Sequence, residues 1–292
     1  QHLITLVRRC FGTHLSLDQV GAKFNTAPFG AADIGYLAFA ATGEPAAYYG
    51  VFPVLVNLKG QVHLAAQSGD TMTDPDHQKK GLFIRLAKLT YALAQENGVR
   101  FVFGFPNENS LPGFERKLNW TLSGHLYDLR FRTGALPLCE LASKSRLFKP
   151  VYAAIIRRRA SRVISAPLAT ETQTDACVHD ERFHGYKQAM GALWIEVAGV
   201  RMFVKPAVHL YVGDIRFKGA PDADLVLRAI TRAAGIFYCS QAVCTFSEGH
   251  PLFTLLSTIT VPERSLPIGH LDLGSGLPIG DLSFSRADLD TF

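Results

Sequence analysis

The sequence predicts a mixed α/β fold built in two halves, and three observations carry that prediction. Residues 34–73 read as three strands joined by short turns, which favours antiparallel pairing. Residues 79–105 then read as a long amphipathic helix followed by a continuous apolar strand. The last hundred residues repeat this order in weaker form. The prediction is therefore an α/β class with a mixed sheet, followed by a second, degenerate half.

The composition is that of a globular protein with a large core. The chain has 292 residues, of which 48% are apolar and 19% charged. Its net charge of +5 suits an anionic small molecule but is too small and scattered to predict nucleic-acid binding. No apolar run of membrane-spanning length and no signal-peptide pattern are present, so we expect a cytoplasmic protein without an integral membrane segment.

The five cysteines predict neither a metal site nor a disulfide framework. They form an odd set without CxxC pairs, and zinc-ligand spacing is absent. Cys239 and Cys244 lie in an apolar run, where buried thiols are expected. No metal is expected, and no cysteine stands beside a recognisable base, which disfavours a cysteine acyl-enzyme.

The individual elements are predicted from the spacing of apolar residues and from the turn-forming residues between them. Residues 3–10 and 15–24 read as short helices. Turns at Thr42-Gly43 and Lys59-Gly60 separate the three strands. A helix is predicted from Lys79 to Asn97, ended by Gly98. The apolar run "VRFVFGF" is typical of a strand buried on both faces and parallel to its neighbour.

Three domains are predicted: residues 1–132, a linker with a helix at 133–188, and residues 189–292. In the linker, "LFKPVYAAIIRRRASRVI" reads as helical and "APLATETQTDACVHDERFHG" as a polar connection. The arginines of the first stretch are interpreted as a solvated helix face, with a phosphate or a membrane surface as the alternative. The final domain contains the helix "DADLVLRAITRAAG", the apolar strand "IFYCSQAVCTF" and the short helix "EGHPLFTLLSTI".

The junction between the third strand and the long helix is the strongest functional signal. It contains Gln78-Lys79-Lys80-Gly81. A helix N-terminus has unpaired N–H groups and partial positive charge, and glycine lets a ligand approach the backbone closely. Lysines oppose the helix dipole at this end by about 0.3–1 kcal/mol, and an anionic ligand would reverse that penalty. Two exposed surface lysines are the alternative interpretation.

The order of these elements, with Gln78-x-x-Gly81 opening the helix and Asn107 after the buried strand, resembles the GNAT N-acetyltransferase superfamily. The resemblance covers residues 1–132 and implies acetyl-CoA as co-substrate. It implies that backbone groups of Met72 and Thr73 contact the pantetheine arm and the acetyl carbonyl. The cofactor-binding residues implied in total are Met72, Thr73, Gln78, Lys79, Lys80, Gly81, Leu82, Phe83, Asn107 and Ser110.

Two positions depart from the family pattern. Phe83 stands where the motif ends in Gly or Ala, so its side chain must find other space. Many relatives carry a Tyr that protonates the departing thiolate, whereas "GFERKLNW" offers Phe114 or Glu115 at that place. The proton donor for the thiolate is left open.

Acyl transfer to an amine also needs a group that accepts the amine proton. Asp70, near the end of the third strand, is the first candidate, with turn chemistry as its alternative role. His63 and Asp128 are further candidates, although His63 faces away from Asp70 if the strand is regular. His125 lies on the same predicted strand as Asp128 and is more typical of a structural residue.

The resemblance extends to tandem-GNAT enzymes that N-acetylate nucleotide-linked amino sugars for surface polysaccharides. We therefore expect direct acetyl transfer to such an amine, with the final domain contributing to acceptor binding. A peptide, a polyamine or an aminoglycoside is the alternative acceptor, and a CoA-binding module without catalysis is the alternative class. The oligomeric state is left open.

Overall fold

The computed structural model describes residues 1–165, 175–217, 219 and 222–292. These residues form two compact units that are discontinuous in sequence. The first contains 1–124, 175–190 and 266–282, and the second contains the described residues of 125–165, 191–265 and 283–292. The units therefore interleave along the chain, unlike the three consecutive domains of the sequence prediction.

The elements are introduced here in chain order. They are α1 (His2–Phe11), α2 (Leu17–Phe24), β1 (Gly35–Phe39), β2 (Pro45–Leu58), β3 (Gln61–Thr73), α3 (Leu82–Glu96), β4 (Phe101–Gly104), α4 (Leu111–Lys117), β5 (Thr121–Arg132), α5 (Leu138–Lys144), α6 (Phe148–Ala160), β6 (Ala176–Cys177), α7 (Glu181–Ala189), β7 (Leu193–Val197), β8 (Val200–Pro206), β9 (Leu210–Phe217), α8 (Ala223–Ile236), β10 (Gln241–Ser247), α9 (Pro251–Ser257) and β11 (Glu263–Asp272).

The strands of the first unit lie in the order β1-β2-β3-β4-β11, with β6 paired to β2. Strands β1, β2 and β3 are antiparallel, as the short turns predict. Strand β4 is fully buried and parallel to β3, which confirms the prediction for "VRFVFGF". The β3–β4 pairing ends at Gln67 and Phe103, although β3 continues to Thr73. The two strands therefore separate towards the end of β3 that leads to α3.

The core under α3 contains a chain of buried hydrogen bonds. The Trp120 Nε1–H donates to the Tyr91 hydroxyl at 3.0 Å, and the Tyr91 and Tyr49 hydroxyls are 2.7 Å apart. The Tyr49 hydroxyl is also 2.8 Å from the Ser68 hydroxyl on β3. Burial raises the pKa of both tyrosines, so they stay neutral donors. This chain joins β2, β3 and α3 around the point where β3 and β4 separate.

The strands of the second unit lie in the order β5-β10-β9-β8-β7. Strands β7, β8 and β9 are successive antiparallel neighbours, and β9 is parallel to β10. Helix α8 buries Val226, Ile230 and Ala233 in the core of this unit. Three antiparallel strands, a helix and a parallel strand thus repeat the plan of the first unit, which confirms the predicted fold class.

Several boundaries differ from the sequence prediction. Helix α3 begins at Leu82 and not at Lys79, because Lys79 and Gly81 have positive φ angles of 60° and 73°. The polar connection at 166–185 was wrong for its described part, since β6 pairs with β2 and α7 buries Phe183. Residues 166–174 of that stretch lie outside the described residues. Cys239 and Cys244 are buried free thiols, as expected.

None of the helices in the described ranges combines the length and apolar character needed to cross a membrane.

An ion pair between α1 and the end of β3 fixes the turn that precedes α3. The Arg9 Nε lies 2.7 Å from a carboxylate oxygen of Asp74, whose side chain is fully buried. The other Asp74 oxygen accepts a hydrogen bond from the Asp76 backbone N–H at 3.0 Å. The carboxylate therefore ties α1 to the first residues of the turn.

Arg9→Ala is expected to lower the free energy of unfolding by about 1–3 kcal/mol, because it leaves a buried carboxylate without its cation while water reaches the partly exposed site. Chemical denaturation monitored by circular dichroism measures this change. Arg8→Ala removes the same charge from the exposed face of α1 and serves as the matched control. Equal stability of the two variants would contradict a structural role for the pair.

Candidate functional site

A surface cavity of about 260 Å³ lies at the N-terminus of α3. It is bounded by the last residue of β3, the turn before α3, the first turn of α3 and helix α4. The lining residues are Thr73, His77, Gln78, Lys79, Gly81, Leu82, Phe83, Ile84, Gly113 and Lys117. Six of the ten predicted cofactor-binding residues thus meet at one place, and none of the lining residues is acidic.

The backbone of the turn leaves this helix end open to a ligand. Gly81 is the N-cap of α3, and no side chain caps the helix there. A Cβ at position 81 would meet no atom within 4 Å. The first N–H groups of an α-helix have no acceptor within the helix, and their dipole attracts an anion. The cavity is therefore suited to a phosphate group.

The two lysines of the turn have different surroundings. Lys79 lines the cavity. The Lys80 ammonium instead donates to the Asp76 carbonyl at 3.1 Å and lies 3.2 Å from the His77 ring nitrogen Nδ1. These local hydrogen bonds of Lys80 stabilise the turn, and contacts of Lys79 and Lys80 with an anion stay predictions.

Phe83 fits into the first turn of α3 because position 113 is a glycine. Its ring lies 5.2 Å from the Phe114 ring and 5.7 Å from the Tyr49 ring, measured between centroids. A Cβ at position 113 would be only 2.6 Å from the Phe83 ring. The larger residue at the end of the motif is thus accommodated against α4.

Phe114, at the place considered for a proton donor, is buried in this aromatic cluster, with its ring centroid 4.4 Å from that of Trp120. It carries no exchangeable proton. Glu115, the other residue considered there, is exposed on α4.

Three predicted residues have local structural contacts. The Asn107 side-chain oxygen accepts hydrogen bonds from the N–H groups of Asn109 and Ser110 and from the Ser110 hydroxyl. These bonds form the turn that leads into α4. Met72 is buried in a cluster with Leu6 and Tyr48. Contacts of Asn107, Ser110 and Met72 with a pantetheine arm stay predictions.

A β-bulge at Asp70 changes which face of the sheet the end of β3 presents. Gly50 pairs with Gly69 and Tyr48 with Met72, so Tyr49 alone faces two residues of β3. Asp70 has a φ of 51°, as expected at a bulge. The extra residue reverses the alternation, which places Met72 against α1 and leaves Thr73 at the cavity.

The Asp70 carboxylate lies 2.6 Å from the Lys23 ammonium of α2, and both side chains are largely shielded from solvent. The hydroxyl of Tyr186 on α7 donates to the Lys23 carbonyl at 2.8 Å. An ammonium at this distance shows that the position can receive a cationic amine. A catalytic role of Asp70 stays a prediction.

Of the other catalytic candidates, His63 lies far from Asp70 along the same strand, and Asp128 belongs to the second unit. His63 lies seven residues before Asp70 on β3, a distance of about 23 Å along an extended strand. Asp128 belongs to the second unit, where its carboxylate accepts hydrogen bonds from Arg130 at 2.7 Å and Thr245 at 2.8 Å. His125, also in that unit, lies against the Arg264 guanidinium. Asp128 and His125 therefore have structural partners.

Sequence reasoning missed four lining residues, namely His77, Ile84, Gly113 and Lys117. Lys117 stands in the last turn of α4, where a cation suits the helix dipole and gives no signal of a ligand. Its role would have been visible only from the packing of α4 beside α3. Among the described residues, no group of three or more His, Cys, Asp or Glu side chains could hold a metal ion.

The equivalent helix of the second unit is closed to an anion. The Asp222 carboxylate caps α8 by accepting hydrogen bonds from the N–H groups of Asp224 at 2.9 Å and Leu225 at 3.2 Å. Two carboxylates thus lie in the first turn, where α3 has an uncapped glycine. They supply the negative charge that a ligand would bring.

In the second unit, the last residues of the chain occupy the space where β9 and β10 separate. Strand β9 has an extra residue, Gly213, and its pairing with β10 ends at Cys244. A Cβ at position 213 would be 2.5 Å from the Phe292 ring. The Ser247 N–H donates to the Phe284 carbonyl at 2.9 Å, which holds the last segment beside β10. Among the described residues, the second unit therefore repeats the plan with its helix end capped and its strand separation occupied by Phe292.

Comparisons with known proteins find a similar domain family for the first 123 residues. Residues 1–123 match the model of the acetyltransferase (GNAT) domain. No curated protein is similar enough in sequence to count as a match.

Solved structures extend the likeness of fold over residues of both units. The chain is similar to a GCN5-related N-acetyltransferase from Anabaena variabilis, with a TM-score of 0.55 and 10% identity over 92% of this chain and 69% of that one. It is also similar to a probable N-acyltransferase from Enterococcus faecalis, with a TM-score of 0.57 and 10% identity over 94% and 70% of the two chains. The values for a GCN5-related N-acetyltransferase from Kribbella flavida are 0.53 and 12%, over 93% and 69%.

The matched residues include β1 to β4, the α3 N-terminus with its uncapped Gly81, and the separated strands beside it. Residues 1–123 are therefore similar to the acetyltransferase (GNAT) domain in sequence, and the described residues of both units are similar in fold to GCN5-related N-acetyltransferases.

Proposed function

We propose that the protein transfers the acetyl group of acetyl-CoA directly to the amine of a nucleotide-linked amino sugar, using one CoA site in the first unit. The observation that carries the CoA site is the cavity at the uncapped N-terminus of α3, lined by Lys79 and Lys117 and free of carboxylates. The capped α8 and the filled strand separation support a single site per chain.

Acetyl-CoA supplies a thioester whose carbonyl carbon the amine attacks. The new C–N bond forms as the C–S bond breaks, and the electron pair of that bond leaves with sulfur as thiolate. The N–H groups at the start of α3, together with Lys79 and Lys117, would neutralise the pyrophosphate. Asp70 would first hold the acceptor ammonium in the place of Lys23 and then accept one proton, which frees the attacking lone pair. The second N–H proton, lost as the amide forms, would pass to the departing thiolate through solvent.

The acceptor class rests on two features. A second unit of similar plan with a closed anion site leaves that half available for acceptor contacts. The Asp70 carboxylate at the β-bulge, which pairs with the Lys23 ammonium, is suited to bind an amine. The surface-polysaccharide setting follows from the resemblance to tandem-GNAT enzymes. Peptides, polyamines and aminoglycosides are amines too, and an assay with all four classes separates them.

Release of free CoA from acetyl-CoA is expected with one or more nucleotide-linked 3-amino or 4-amino sugars, above the rate without acceptor. A thiol-reactive dye measures the release, and mass spectrometry of the sugar identifies the acetylated product. Greater turnover with polyamines, peptides or aminoglycosides would overturn the acceptor class. CoA binding without release for any amine would instead support a binding module.

Lys79→Ala is expected to weaken CoA binding about tenfold, because it removes one charge-assisted contact with a phosphate. Folding stability should stay unchanged or rise slightly, since the substitution removes a cation from a helix N-terminus. Isothermal titration calorimetry measures the affinity and should give one site per chain.

Lys80→Ala is the matched control for that substitution, since its side chain points to Asp76 and His77, and its CoA affinity should change less. Two sites per chain, or equal losses of affinity for the two variants, would contradict this assignment of the cavity.

Asp70→Asn is expected to lower kcat about a hundredfold or more while CoA affinity stays within a factor of two, because only the proton acceptor is lost. The acidic limb of the kcat/KM pH profile should disappear in the variant. Asp18→Asn removes an exposed carboxylate from α2 and serves as the control for net charge. An unchanged rate with an intact acidic limb would assign the proton acceptor to another group.

A further inference from the structure

Residues 141–165, here called the basic segment, combine concentrated positive charge with exposed apolar side chains. The segment contains the end of α5 and the whole of α6. It has seven Lys and Arg residues and no Asp or Glu, namely Lys144, Arg146, Lys149, Arg157, Arg158, Arg159 and Arg162. The whole chain has a net charge of only +5, so the other residues together are net negative. The positive charge of the protein is therefore local.

Helix α6 is anchored by one face, which fixes what the opposite face presents. Tyr152, Ile156 and Ala160 follow helical spacing and pack in or against the core of the second unit. The Tyr152 hydroxyl also donates to the Phe237 carbonyl at 2.8 Å. The side chains on the other side of α6 therefore point to solvent.

The solvent-facing side of α6 is apolar near the start of the helix and basic at its end. Leu147, Val151 and Ala154 are followed at the same helical spacing by Arg158 and Arg162. Leu147 is 89% exposed and Val151 52%, and they are among the more exposed large apolar side chains of the described residues. Leu141 on α5 adds a further side chain that is 49% exposed. Exposed leucines between cations indicate a surface that meets a partner.

We propose that the basic segment is a docking surface for the anionic face of a phospholipid bilayer. Lysines and arginines near such a face are attracted to its negatively charged headgroups, and apolar side chains on the same helix face enter the boundary with the acyl chains. Leu147 and Val151 would insert there, while the arginines contact phosphate. The helix would lie along the membrane surface.

Two other partners fit the same surface less well. A nucleic acid would use the cations but has no place for the exposed Leu147 and Val151. A symmetric dimer through this face would bring the same seven cations of two copies together without a carboxylate in the segment to balance them. A bilayer with anionic lipid uses both the charge and the apolar side chains.

The experiment compares sedimentation of the full chain with phosphatidylcholine vesicles that contain or lack phosphatidylserine. Binding is expected only with phosphatidylserine, and it should weaken as salt is added. Arg157→Ala, Arg158→Ala and Arg162→Ala together should lower the partition coefficient about a hundredfold. Arg159 is kept because its guanidinium donates to the Tyr238 hydroxyl at 2.9 Å.

The control removes three exposed cations elsewhere, through Arg8→Ala, Lys88→Ala and Arg228→Ala, and should keep most of the binding. Leu147→Ser with Val151→Ser should lower binding about tenfold without a change in thermal stability, since both side chains are exposed.

Four results would overturn the proposal. The first is absence of binding to either vesicle, and the second is an equal loss in the two triple variants. The third is a dimer in analytical ultracentrifugation that Leu147→Ser with Val151→Ser dissociates. The fourth is DNA binding, measured by fluorescence anisotropy, that the same two changes leave intact.

Discussion

The uncapped N-terminus of α3 is the constraint on which the arrangement of the first unit depends. Its first N–H groups lack acceptors within the helix, and Gly81 contributes no side chain to cap them. The turn before it holds its shape through the buried Asp74, which pairs with Arg9 of α1 and caps the Asp76 N–H. Contacts outside the cavity thus stabilise the turn and offset the free energy lost by leaving the helix end uncapped. The amide N–H groups stay available to an anion.

The two units have the same order of strands around a helix, yet they differ at the two places that matter for the chemistry. The helix end is open in the first unit and capped by Asp222 in the second. The parallel strands separate in both, but Phe292 lies against Gly213 of the second unit. A shared backbone plan therefore has an open cavity at the helix end in one half and a capped helix end in the other, among the described residues. The fold alone does not decide where our proposed CoA site lies, because single side chains make the difference.

The sequence predicted most of the first unit because its signals are local. Short turns, a 3.6-residue period and an all-apolar run each identify an element without reference to the rest of the chain. The same signals located the cavity through Gln78 and Gly81. The bulge at Asp70 could not be predicted, because one extra residue in a strand leaves the composition unchanged. The discontinuous units depend on distant pairing, such as Val56 of β2 with Cys177, which no local pattern indicates.

His63 and Lys80 illustrate a different limit. Their chemistry suits the proposed reaction, and their positions in the sequence lie near the motif. In the structure the Lys80 ammonium donates to the Asp76 carbonyl, and His63 pairs with Val56 at a distance from Asp70 along β3. Neither placement could be predicted from residue type. Lys117 shows the reverse case, since it reaches the cavity from a helix that is distant in sequence. Residue type limits the candidates, and packing selects among them.

The contact between Phe83 and Gly113 links two positions thirty residues apart. Phe83 occupies the space that a side chain at position 113 would need. A larger residue at 113 is therefore compatible with this backbone only if position 83 becomes small, and the reverse holds for a return of Gly or Ala at the motif. In relatives that keep this geometry, the two positions should covary, and a sequence scored by the glycine motif alone would be judged defective although its pocket is complete.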